Sequence, residues 1–161
     1  MLMKKGISLW IIICAVMGVV VFVVTQVIVP SLQNKTTVRL ADGVFTTRVW
    51  YGERNIMRAM DDSRDLRLDQ ADLYVYDATD EWPVWVAGNG LRRDFVWLDS
   101  NKRVVYILKN APSSEKPHKT YSPVEKAVYV LAVPGGAIDA KGLFVSKTAK
   151  FDLPEIVTEG K

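Results

Sequence analysis

Apolar and polar positions divide the chain into one long apolar run and a series of short ones. Ile7 to Val29 is 23 residues without a charge, and only Ser8, Thr25 and Gln26 within it are strongly polar. A helix of that length covers about 34 Å at roughly 1.5 Å per residue, enough to cross a hydrocarbon core of about 30 Å. A cleavable signal peptide has a shorter apolar core, about 7–15 residues, with small residues before its cut. Here the run ends TQVIVPSLQ, with bulky side chains in those places. Residues 7–29 therefore read as a retained membrane anchor within residues 1–30, followed by a linker over 31–37 and a domain over 38–153, with 154–161 as a tail.

The short runs have strand character. Thr36–Leu40 and Val44–Trp50 flank Ala41-Asp42-Gly43, a turn signal, and predict a first hairpin. Gly52–Leu68 is charged around Ile56, Met57 and Met60 and predicts a short helix and loop packed on a sheet. Asp72–Asp77 and Pro83–Ala87 follow as strands, the second with Pro at its start, where a missing donor is tolerable. DFVWLD (94–99) has a continuous apolar centre, as in a strand buried on both faces. Asp-Ser-Asn-Lys then turns the chain into Arg103–Lys109. Ala127–Val133 predicts a further strand and Ala137–Lys141 one helical turn, with a last hairpin from Leu143–Ser146 and Thr148–Leu153. Many short strands and one short helix predict a mainly β domain, a small rolled antiparallel sheet or partly open β-barrel.

Charge adds orientation. The formal charge is +3; without Lys4 and Lys5, the 21 basic residues become 19 against 18 acidic ones, a net +1. No basic face is implied, so no nucleic-acid partner is expected. Lys4, Lys5 and Trp10 crowd the N-terminal boundary of the apolar run, while Lys35 and Arg39 lie further out on the other side. The positive-inside tendency then gives a cytoplasmic N-terminus and an extracytoplasmic domain, with the bilayer as one partner. Lys-Lys-Gly before Ile-Ser-Leu also resembles a prepilin leader cut after Gly6, although Ile11 stands where that family usually has Glu.

Candidate chemistry is thin. Cys14, inside the apolar run, is the only cysteine, which excludes disulfides and cysteine-based metal sites from the rest. Asp61, Asp62, Asp65 and Asp69 lack the spacing, central Gly and closing Glu of a calcium loop, so no metal or cofactor is expected. Gly88-Asn89-Gly90 with Arg92-Arg93 is a candidate anion-holding loop. Trp82, Trp85, Trp97 and Tyr106 either line a sugar or peptide groove or fill the core. His118 lies in the polar stretch Ser113–Thr120, and no spacing joins it to Ser113, Ser114 or Ser122 as a nucleophile–base pair.

The run DFVWLDSNKRVVYILKNAP, the following Tyr121, and AVYVLAVPGGA together resemble the domain of unknown function 192 family. Glu53-Arg54 with Met57, and Leu73-Tyr74-Val75-Tyr76, extend the resemblance upstream, so that it covers roughly Val38 to Phe151. The family's Trp-Met-Lys-Asn-Thr signature departs here: Trp85 and Asp94 are kept, but Val86, Ala87, Gly88 and Asn89 stand between. A job for the lost lysine cannot be carried over, and a fold can survive such losses while a site does not. The resulting expectation is a binding module or accessory subunit of a membrane or cell-envelope complex, with a protein partner. Its candidate ligand-binding residues are Trp85, Asn89, Arg92, Arg93, Asp94, Asn110 and Tyr121. The alternative is a hydrolase or transferase whose pocket gathers Trp85, Asp94, His118 and Tyr121.

Overall fold

A computed structural model describes residues 34–88 and 90–154. Six strands form one sheet: β1 (Lys35–Leu40), β2 (Gly43–Tyr51), β3 (Gln70–Asp80), β4 (Arg92–Leu98), β5 (Val104–Pro112) and β6 (Ala127–Pro134). Their spatial order is β1-β2-β3-β6-β4-β5. Helix α1 (Glu53–Asp61) connects β2 to β3, and the single turn α2 (Ala137–Ala140) follows β6. The expected mainly β fold with one short helix is present, as are the hairpins β1–β2 and β4–β5. β1 begins at Lys35, inside the stretch read as linker.

Both faces of the central strands are covered, so their apolar runs are nearly continuous rather than alternating. One face carries Val38, Leu40, Phe45, Val49, Leu73, Val96, Leu98, Leu131 and Val133, roofed by Ala137, Ile138, Leu143, Ala149 and Phe151. The other carries Tyr74, Tyr76, Phe95, Trp97, Val130 and Ala132. Ile56, Ala59 and Met60, one helical stripe of α1, cover that second face together with Val84 and Val86.

The structure departs from the sequence expectations in three places. The sheet is mixed: β2 and β3 pair in parallel, Thr46 opposite Gln70 through Tyr51 opposite Val75, while the other ladders are antiparallel. A parallel pair needs a long crossover, and α1 with the loop after it supplies one. Pro83–Ala87 is not a strand but touches the 114–121 segment through two isolated bridges, Val84 to Tyr121 and Ala87 to Ser114. The last hairpin does not form either. Residues 147–150 instead lie across both sheet edges: Lys150 exchanges backbone hydrogen bonds with Arg39 of β1 (2.8 and 2.9 Å), and Val104 of β5 donates to Lys147 (2.8 Å). The sheet is therefore open in its ladders and strapped at its edges by the C-terminal segment, which satisfies backbone groups that an edge leaves unpaired.

Among the described residues, no helix is long and apolar enough to cross a membrane. The 7–29 segment lies outside the described residues.

Candidate functional site

The candidate residues fall into three separate groups. The first surrounds Asp94. The β4–β5 register shifts between Arg93 opposite Ala111 and Phe95 opposite Leu108, so Lys109 and Asn110 share one position. Such a bulge leaves an N–H without a ladder partner. Asn110, at φ 53°, donates that N–H to Asp94 Oδ1 (2.7 Å), and Ile138, in the first turn of α2, donates to Oδ2 (3.0 Å). Asp94 is fully buried, yet both its oxygens are engaged by charge-assisted bonds. Arg92 closes the group by donating to the Asn110 carbonyl (3.3 Å), and Gly135 packs so closely that a Cβ there would stand 2.8 Å from Arg92 Cβ. The Asp, Asn-Ala-Pro and Gly-Gly motifs are thus parts of one structural joint between β4, β5 and α2.

The second group lies on the opposite face. Tyr121 exchanges backbone hydrogen bonds with Val84 (2.8 and 2.9 Å), which brings the 113–121 loop beside Trp85. Trp85 Nε1 donates to Asp61 Oδ1 at the end of α1 (2.9 Å), Lys116 Nζ donates to Oδ2 (3.1 Å), and His118 Nε2 stands 3.5 Å from Oδ1. The Trp85 and His118 rings are nearly parallel, at 9° and 6.1 Å between centroids. His118 Nδ1 donates to the Ser114 carbonyl (2.8 Å), which orients the ring with Nε2 toward Asp61. That nitrogen is buried and has no hydrogen-bond partner among the described residues, nor has the Tyr121 hydroxyl. The Trp85 and Lys116 hydrogen bonds hold the Asp61 carboxyl below its ordinary range. Beside this corner an open groove of about 520 Å³ runs along α1 over Glu53, Arg54, Met57, Arg58 and Asp61.

The third group is Arg93, which points to the second face and donates to the Arg64 carbonyl. Asn89 lies outside the described residues. Of the aromatic candidates, Trp97 is fully buried and donates to the Trp82 carbonyl (3.0 Å), while Trp82 stacks on Tyr76 at 4.1 Å, so both belong to packing. Sequence reasoning weighed Asp61 only as a calcium ligand and missed Lys116 and the pairing of the two. They are 55 residues apart in sequence, and only the fold brings them together. Among the described residues, no group of three or more His, Cys, Asp or Glu side chains could hold a metal ion.

Two serine hydroxyls of this corner already carry hydrogen bonds. Ser63 Oγ donates to Met60 O (2.5 Å) and accepts from Ala87 N (3.2 Å), and Ser114 Oγ accepts from Lys119 N (2.8 Å). Asp94 packs with the first face and Tyr121 with the second, so the sheet itself separates them.

No curated protein matches this chain. Two solved structures share its fold. A "putative transcription regulator" from Sinorhizobium meliloti 1021 is 18% identical, with a TM-score of 0.66, covering 73% of this chain and 93% of its own. A protein of unknown function from Novosphingobium aromaticivorans DSM 12444 is 15% identical, with a TM-score of 0.63, covering 72% of this chain and 83% of its own. The model of the DUF192 family, described as "Uncharacterized ACR", matches residues 32–151, and on that match the chain belongs to this family.

Proposed function

We propose that this chain is a membrane-tethered binding module, held by residues 7–29 and presenting its β domain outside the cytoplasmic membrane to a protein partner. The uncharged 23-residue run and the lysines before it support the tether and its orientation. The observation that carries the binding reading is the corner of Trp85, His118, Asp61 and Lys116. Its side chains are fixed by one another and by backbone, while Lys116 is 73% exposed and Asp61 42%. Such an array can recognise a partner surface through an aromatic plane, a carboxylate and an ammonium group. A hydrolase or transferase reading is weaker, because Asp94 has spent both oxygens on backbone donors and the nearby serine hydroxyls are engaged.

The test is site-specific photocrosslinking of the full chain in native membranes. A benzophenone side chain at position 116 is expected to give one discrete adduct, absent when it stands at position 103 on the distant β4–β5 turn. Identical adducts from both positions, or none from position 116, would contradict the proposal.

A further inference from the structure

Beyond the Trp85 corner, four elements bring charge together on the second face. β2 supplies Arg48, the loop after α1 supplies Arg64, β3 supplies Asp72, and β4 supplies Arg93. The parallel register places Arg48 opposite Asp72. A single oxygen of that carboxylate, Oδ1, accepts from Arg48 Nε (3.0 Å) and Trp50 Nε1 (3.1 Å), with Arg64 Nη2 at 3.8 Å. Arg64 is thus too far to share a hydrogen bond there. Its Nε is also buried without a partner among the described residues.

The charges do not cancel. Two guanidinium groups, Arg48 at 3.0 Å and Arg64 at 3.8 Å, face the one carboxylate of Asp72. Burial pushes the Arg93 guanidinium down and Arg64 adds to that push, against Tyr74, Asp72 and Asp65. A purely structural role accounts for Arg93, which pins the 62–69 loop through the Arg64 carbonyl, and for Arg48, which pairs with Asp72. It accounts less well for the Arg64 guanidinium, whose Nη2 stands 3.8 Å from an Asp72 oxygen already taken by Arg48 and Trp50 and whose Nε is buried without a hydrogen-bond partner among the described residues. The Arg48 guanidinium lies 4.9 Å over the Trp50 ring, so its plane is set. Arg48 is 31% exposed and Arg64 39%, so the cluster opens to solvent at these two residues, while Arg93 is buried beneath them.

We infer that Arg48 and Arg64 form a binding site for a phosphate-type oxyanion, with Asp72 holding Arg48 in position and the buried Arg93 anchoring the Arg64 backbone. Guanidinium forks fixed in orientation suit an oxyanion with several acceptor oxygens, and the ligand supplies the acceptors that Asp72 does not. The site stands independently of the partner corner.

The test is a titration of the full chain, in an uncharged detergent, with inorganic phosphate against chloride at equal ionic strength. The readout is the Trp50 indole N–H resonance, which reports on Asp72 Oδ1 directly. A saturable, phosphate-specific shift is expected, at least ~10-fold weaker in Arg64→Gln, the loss of about 1.4 kcal/mol, and unchanged in Arg103→Gln, which removes the same charge elsewhere. Arg48→Gln repeats the test from a second element should Arg64→Gln fold poorly. Shifts that chloride reproduces, or equal affinity in the Arg64 and Arg103 variants, would overturn the assignment. Phosphatidylglycerol vesicles that compete with phosphate make the ligand a lipid headgroup, and failure to compete makes it a soluble phosphate compound.

Discussion

Asp94 and Asp61 are both carboxylates near loops, and their surroundings give them different work. Asp94 holds the unpaired N–H groups of Asn110 and Ile138. An amide in its place keeps one acceptor oxygen and presents an N–H to the other donor. Asp94→Asn is therefore expected to lose about 1–3 kcal/mol of stability, the cost of a buried unsatisfied donor, read by urea denaturation of the full chain. Asp61 is half exposed, and its lowered pKa comes first from Trp85 and then from Lys116. A depressed carboxyl contributes stability that is present above its unfolded pKa and lost as pH falls through the folded one. The wild-type advantage over Asp61→Asn should thus be constant near neutrality and vanish on the acid side of the ordinary carboxyl value of 3.8. Thermal midpoints of both proteins from about pH 6 to about pH 2 test this, and a constant difference would contradict it. The sequence marked Asp94 as a residue of consequence, but DFVWLD cannot say whether its acid faces solvent, ligand or backbone. Asp61 stood out only as one of four clustered acids without calcium-loop spacing, because its partners come from the 82–88 and 113–121 segments.

At the scale of elements, local chemistry was legible and long-range pairing was not. Ala41-Asp42-Gly43 and the Asp99–Lys102 turn announced the β1–β2 and β4–β5 hairpins, because a tight turn commits its flanks to antiparallel pairing. Helix α1 was legible from the spacing of Ile56 and Met60, but whether the chain returns parallel or antiparallel is not written in that spacing. The C-terminal run alternated like a hairpin because Ala149 and Phe151 alternate into the core; its partners proved to be β1 and β5. The joint at β4, β5 and α2 yields its own prediction. In Gly135→Ala the new methyl meets Arg92 Cβ at 2.8 Å, with the Asn110 side chain at 3.1 Å. Such overpacking should cost about 1–3 kcal/mol. A denaturation midpoint equal to wild type would show that β6 and β4 do not meet as closely as described.

In the whole molecule, the joint that holds the fold lies apart from the corner proposed to meet a partner. The family motifs build the joint on one face of the sheet, while Trp85, Asp61, Lys116 and His118 meet on the other. The sequence placed Trp85, Asp94 and Tyr121 in one candidate site; the sheet divides them, since residues 93 and 94 point to opposite faces of β4. The most direct measurement is the amount of partner co-purified per folded molecule of the full chain from solubilised native membranes, for Asp94→Asn and for Lys116→Ala. The account predicts that Asp94→Asn lowers stability but keeps partner binding per folded molecule, while Lys116→Ala keeps stability and loses binding. Loss of binding with Asp94→Asn at full folding, together with wild-type binding by Lys116→Ala, would return the recognition site to the face of the joint and contradict the account.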